Sequence, residues 1–358
     1  MSRTRLNICI PKLQHNIDTL VKTAHDKGVR LAVVSKVVSA DDKVLFCIEN
    51  SEADMLADAR MLNLDRFRGN KPRLLLRIGS PKETEEIVRT SEISLQSELT
   101  TIRFLNEAAK RLNRKHKVIL MIDLGDLREG IFFENWDEIR TVAQAVSEAS
   151  NLELYGTGTN LTCYGSILPD ERNLGILVEC TERLREELHE EIPIISGGNS
   201  TSLPLLFEGR LPNGINHLRV GEAIHLGVVP GHYTAIPGLF RDVYSLEADI
   251  IECKRKPSMP IGTRSRNAFG EEVSYTDEGE QIRAILSVGR QDVSIDGLTP
   301  LDADIRILGA SSDHLLVNLT HCKHTYHVGD SVRFGLDYGA LLACSTSKYV
   351  ERNYLYEV

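Results

Sequence analysis

Lys36 closes the apolar run Val29-Arg30-Leu31-Ala32-Val33-Val34-Ser35, which reads as a buried strand. A lysine at such a strand end can have its ammonium stripped of water, which suits it to add to a carbonyl as a Schiff base. The same position also suits a lysine that merely marks where the strand reaches solvent. A second group is Ser196-Gly197-Gly198-Asn199-Ser200-Thr201-Ser202. It is small and hydroxyl-rich, able to offer backbone N–H groups and a side-chain hydroxyl to an anion, or to serve as an ordinary capped turn. A third is Arg219-Val220-Gly221-Glu222, where Gly221 permits close backbone approach. Arg219 ends an apolar run, and a guanidinium there must meet an acceptor. A pyridine nitrogen would answer it, and so would a carboxylate such as Glu222 or Asp123.

The segment His321-Cys322-Lys323-His324-Thr325-Tyr326-His327 is the one stretch that resembles a metal site. In a strand His321 and His327 would share a face and His324 would point away, with no carboxylate to complete the shell, so no metal is expected. Seven scattered cysteines without a CxxC pair do not form a disulfide framework and are expected to be free thiols. A net charge of −9 with no basic block argues against nucleic acid and anionic membrane, and points to small-molecule partners. No apolar signal core opens the sequence and no stretch is long enough to span a bilayer, so a cytoplasmic protein is expected.

These residues need a frame to hold them. From residue 11 to 227, eight short apolar runs alternate with amphipathic stretches: Val29 to Ser35, Ala53 to Leu56, Leu74 to Ile78, Ile93 to Leu95, Val118 to Ile122, Leu152 to Gly156, Pro193 to Ile195 and Ile215 to Arg219. Helices such as Glu98 to Leu112, Trp136 to Ala149 and Leu174 to His189 are long enough for right-handed crossovers. Eight such units predict an α/β fold, a (β/α)8 TIM-type barrel, whose chemistry sits at the C-terminal ends of its strands and whose anion site follows strands seven and eight. Gly156-Thr157-Gly158-Thr159-Asn160-Leu161 lacks the third glycine of a dinucleotide fingerprint. Beyond residue 227 Pro-Gly turns and short alternating runs take over, which predicts a mostly β C-terminal domain. The expected division is a barrel over 9–235 and a β-rich domain over 236–358, with residues 1–8 pairing with the latter.

Taken together, Leu31 to Val38, Met121 to Gly130, Gly158 to Leu161, Ser196 to Ser200, Asn216 to Glu222, Gly289 to Val293, Gly309 to His314 and Thr346 to Val350 resemble the fold-type III pyridoxal-phosphate amino-acid racemases. Within the alanine racemase superfamily, the resemblance is nearest to the ornithine/lysine racemase group. It covers nearly the whole chain in order.

The resemblance implies a racemase that uses pyridoxal 5'-phosphate and two bases on a basic or broad-range amino acid: ornithine, lysine, or else alanine or serine. Lys36 would hold the cofactor and act as one base, and Tyr275, from the partner subunit of a homodimer with shared active sites, as the other. Ser200, Gly221 and Glu222 would hold the phosphate, the latter two through backbone N–H. Arg219 would bond the pyridine nitrogen, Asn160 would lie under the ring, Arg128 near the phenolic oxygen, and Lys348 or Tyr349 near the phosphate. Cys163 and His314 are alternatives to Tyr275, and Glu222, Asp126 or Asp313 could receive a distal ammonium. The sequence departs from alanine racemases in having Ala40 near the place of a phosphate-binding tyrosine, and Met121 where many carry a modified lysine. The competing readings are a decarboxylase of the same fold and a non-catalytic pyridoxal-phosphate-holding protein, though chains of that last kind generally stop after the barrel.

Overall fold

In the computed structural model, which describes residues 4–231 and 233–357, the eight runs close into a barrel. Its strands are Arg30–Val34, Met55–Asp58, Arg73–Leu75, Ile93–Gln96, His116–Asp123, Leu152–Gly158, Ile194–Ser196 and His217–Val220. Each pairs in parallel with the next, and the eighth returns to the first with Leu218 opposite Leu31 and Arg219 opposite Ala32. A further short strand, Ile131–Phe132, lies beside the end of the fifth.

Successive side chains of a strand face opposite ways, so alternate residues fill the barrel. Ala32 and Val34, Ile93 and Leu95, Ile119 and Met121 form part of that buried interior. Fully burying one large aliphatic side chain is worth about 1.5–3 kcal/mol. A one-residue slip would turn all of them outward, so the interior fixes the register that places each strand end.

The helix Ile10–His25 buries Leu13, Ile17, Leu20, Val21 and Ala24, spaced for one face of a helical period. Asn16 interrupts that stripe with a purpose. Its Nδ2 donates to the carbonyls of Ile224 and Phe240 at 2.9 and 2.8 Å, and its Oδ1 accepts from Phe240 N at 2.8 Å. That amide ties the segment after the eighth strand to the first helix, and the unit built around the barrel comprises residues 12–241.

The second unit comprises residues 4–11 and those from 242 onward. Its eight-stranded sheet is antiparallel apart from one pair: Thr4–Cys9 runs antiparallel to Tyr244–Pro257 and parallel to Glu351–Leu355. Leu6, Ile8, Leu246 and Phe334 are buried in its core. The helix Tyr338–Thr346 is absent from the sequence reading because its residues are almost uniformly small or apolar and show no amphipathic stripe. It starts where Asp337 Oδ1 accepts from Ala340 N at 2.7 Å. His321 to His327 lies in turns rather than a strand. Among the described residues no group of His, Cys, Asp or Glu is placed to hold a metal ion, and no helix is long and apolar enough to cross a membrane.

Candidate active site

Lys36 stands just past the first barrel strand, at the start of a tight turn, Lys36–Val38, that is followed by Ser39 and Ala40 at φ 52° and 49°. Two consecutive non-glycine residues in the left-handed region are costly, and surrounding bonds must hold them there. Ala40 N donates to Ser35 O at 3.3 Å, and the Ser35 hydroxyl donates to Asp58 Oδ2 at 2.7 Å. Asp58 Oδ1 in turn accepts from Arg60 N and Asn63 Nδ2 at 2.9 and 3.0 Å. Of the two readings its position allows, the chain by itself shows the second: the Lys36 side chain is exposed, because the strand ends at Val34 and the turn carries the lysine outward. What marks it is the anchored turn beneath it.

The loops after strands seven and eight meet at Ser200. Its Oγ accepts from the backbone N–H groups of Gly221 and Ala223, both at 3.3 Å. Asn199 shapes the first loop, its Oδ1 accepting from Thr201 N at 2.9 Å, while Gly198 turns the chain at φ 103°. Gly221 is required by space rather than by φ, since a Cβ there would lie 3.0 Å from Val34 Cβ at the end of the first strand. Ala223, whose N–H belongs to the cluster, carries no side-chain signal by which a sequence reading could find it. Glu222, half-buried, opens the short helix between them.

Arg219 is 4% exposed, and neither Glu222 nor Asp123 pairs with it. Asp123 Oδ1 is taken up by Gly125 N and Leu127 N, at 2.9 and 3.2 Å. Arg219 instead donates from Nη1 to Ser196 Oγ and from Nη2 to the Thr159 carbonyl, the latter at 2.6 Å. Burial pulls its guanidinium down to about 10, while Glu129 and Cys163 lie close enough to push it back up and Arg128 to lower it. The side chain remains a cation near neutral pH, hydrogen-bonded to two neutral oxygens while the Glu129 carboxylate acts on it without a bond.

Beside it, Asn160 is buried, with Nδ2 lacking any hydrogen-bond partner among the described residues; Thr159 Oγ1 is in the same condition. Asn160 Oδ1 accepts from Asn199 Nδ2 at 3.3 Å, and the same Nδ2 lies 3.7 Å from the exposed Cys163 thiol. Arg128 is exposed and pairs with Glu129, one bond measuring 2.6 Å. Asp126 is corrected as a receiver of a distal ammonium. Its buried carboxylate already accepts from the backbone N–H groups of Thr162, Cys163, Tyr164 and Ile167, at 3.0, 3.2, 3.0 and 3.3 Å.

Ser200, Gly221, Arg219, Asn160, Arg128 and Cys163 thus fall on the C-terminal ends and loops of the barrel strands. The remaining candidates stand in the β-rich unit. Tyr275 is exposed in a stretch without regular structure, its ring 5.8 Å from the Arg264 guanidinium. That stretch is held by Glu271, which accepts from Arg290 Nη1 and Nη2 at 2.8 and 3.0 Å. Asp313 accepts from Gln291 Nε2 and Ser312 Oγ, and His314 beside it is exposed. Tyr349 is exposed, with the Lys348 ammonium 5.0 Å from its ring centre.

Residues 8–227 match the family described as alanine racemase, N-terminal domain. The chain is 42% identical over 352 residues to ornithine racemase of Acetoanaerobium sticklandii, covering 98% of this chain and 99% of that protein. It is 34% identical over 353 residues to lysine racemase of Thermotoga maritima, covering 98% of each. The alanine racemase from Bartonella henselae with covalently bound pyridoxal phosphate has the same fold, with a TM-score of 0.75 at 18% identity over 99% of this chain and all of that one.

Proposed function

The chain belongs to the alanine racemase family, and from that premise we propose that it racemises a basic amino acid, ornithine or lysine, with pyridoxal 5'-phosphate as cofactor. The observation that carries this reading is Arg219, a buried cation at the barrel mouth with no carboxylate partner among the described residues, bonded only to Ser196 and Thr159. A side chain so placed is aimed at a group that accepts a hydrogen bond without bringing a charge. The surroundings fit the cofactor: Asn160 Nδ2 and Thr159 Oγ1 are buried polar atoms without partners, and Gly221 lets the phosphate-side turn close against Val34. The two relatives named for ornithine and lysine support the substrate class. Glu222 or Asp313 would receive a distal ammonium.

When bound, pyridoxal phosphate supplies an electron sink for charge left on the substrate's α-carbon. Lys36 Nζ would hold the cofactor and would also move the α-proton on one face. Racemisation needs a second group opposite, because the proton must leave from one side and return on the other. Tyr275 from a second copy of the chain fills that place, with Cys163 and His314 as its alternatives, and an obligate homodimer follows. Arg219 would donate to the ring nitrogen and, staying protonated, would leave that nitrogen without a proton of its own, which would restrain side reactions. Ser200 with the backbone N–H groups of Gly221 and Glu222 would hold the phosphate, a role for which Tyr349 is the further candidate. Arg128 would serve the phenolic oxygen, and Asn160 the ring.

Purified protein soaked with cofactor and given L-ornithine or L-lysine should yield the D-enantiomer on chiral chromatography. Release of carbon dioxide instead would make it a decarboxylase of this fold, and an unchanged substrate would make it a cofactor holder. Lys36→Ala should abolish borohydride trapping and lower turnover by at least about 10³-fold. Racemisation retained in that variant overturns the assignment.

A further inference from the structure

Behind Arg219 lies a buried pair that the proposed reaction does not use. Ser196 Oγ is 2.8 Å from Nδ1 of His217, and both residues are fully buried, at 0% exposure. The register explains the meeting: the end of strand seven pairs with the start of strand eight, His217 beside Ser196, and Arg219 follows two residues later on the same face. A guanidinium can only donate, so Ser196 Oγ accepts from Arg219 and its single proton is available for His217 Nδ1. The imidazole then carries its own proton on Nε2, which has no partner among the described residues. The opposite tautomer would leave both the serine proton and the Nε2 lone pair without a partner, and it is disfavoured for that reason. Burial first, and the charge of Arg219 next, hold the ring neutral, pushing His217 down to about 3.

The chain Arg219, Ser196, His217 therefore runs in one direction, and a hydroxyl that donates onward is a better acceptor for the guanidinium. An aliphatic residue at position 217 would fill the barrel without leaving a buried polar atom unanswered. The histidine is kept at the expense of that unanswered group, which points to a use for Nδ1.

We propose that Ser196 and His217 are positioning residues that hold the Arg219 guanidinium from behind, so that its direction toward the cofactor ring is set before the cofactor arrives. This rests on the reading of Arg219 as the partner of the ring nitrogen. Asparagine at 217 keeps an amide near the place of Nδ1, whereas leucine keeps only bulk, so the two substitutions separate the hydrogen bond from packing.

The test measures cofactor affinity by absorbance titration, the fraction of by-products formed from L-ornithine and L-lysine, and the melting temperature of the cofactor-free protein. Ser196→Ala and His217→Leu should each weaken cofactor binding by about tenfold or more, the scale of one hydrogen bond to a charged group, and raise the by-product fraction. His217→Asn should stay close to wild type in both. If His217→Asn and His217→Leu behave alike, or if Ser196→Ala lowers only the melting temperature, the positioning role is overturned. Arg219→Gln serves as the reference: should it leave affinity and by-products unchanged, the reading of Arg219 itself fails and the inference falls with it. A changed Arg219→Gln with an unchanged Ser196→Ala removes the inference alone.

Discussion

The Ser35 hydroxyl donates to Asp58 Oδ2 at 2.7 Å, tying the residue before Lys36 to the end of the neighbouring barrel strand. Burial raises the Asp58 carboxyl above its ordinary range, against the lowering effect of bonds from Ser35, Arg60 and Asn63. Asp58→Ala would leave those donors unanswered, at roughly 1–3 kcal/mol for each one that stays buried. It should reduce the denaturant midpoint and slow borohydride trapping at Lys36. The native carboxyl holds its proton more tightly than the unfolded chain does, so its contribution is full below the ordinary carboxylate pKa and declines as pH rises through the native one. Asp58→Asn should lack the part of that decline which begins near pH 4, roughly the unfolded value, when melts are compared across pH.

Burial pushes His116 to about 4, His217 to about 3 and His225 to about 4. His225 Nε2 meets the Val34 carbonyl at 3.0 Å and must be the donor there, since a carbonyl only accepts. Unfolded histidines take up protons near pH 6.5, roughly their model value, so the native state binds fewer protons below that pH. The stability from these groups is complete above about pH 6.5 and is lost as pH falls toward about 4. Urea midpoints should fall between pH 7 and pH 5, and His116→Leu should flatten that slope by about one proton's share. An unchanged slope would mean that His116 titrates alike in both states.

Asp126 accepts from four backbone N–H groups of the loop after strand six, and its own carbonyl accepts from Gly165 N at 3.0 Å. Asp126→Ala should cost about 1–3 kcal/mol, since the loop donors it answers are only partly buried and most will find water. Because Cys163 sits on that loop, its rate of alkylation, followed by mass spectrometry of the peptide that contains it, should change in step with the loss of stability. A stable variant with an unaltered Cys163 rate would show that the loop holds itself.

Gly221→Ala introduces a Cβ 3.0 Å from Val34 Cβ, tighter than side chains normally pack. Neither backbone can retreat without disturbing the first strand or the Ser200 turn, so a cost of about 1–3 kcal/mol is expected. Cofactor affinity should fall along with the melting temperature. A variant with wild-type affinity would take the close approach of Gly221 out of the binding site.

The sequence by itself determined the eight strands, their order and the division of labour between barrel and β-rich segment, because hydrophobic period is a local property of the chain. It also singled out Lys36, Ser200, Arg219 and Gly221 as candidates, and these stand at the strand ends where a parallel barrel places its chemistry. Their partners were a different matter. Arg219 meets Ser196 across 23 residues and Thr159 across 60, and His217 meets Ser196 across 21, contacts that exist only once closure sets strand eight beside strand seven. Asp126 looked like a free carboxylate until packing buried it, and whether Lys36 stands buried or exposed was open until the turn placed it outward. Which groups lose their water, and which acceptor each donor finds, follow from the neighbours that tertiary structure supplies; no local pattern contains them.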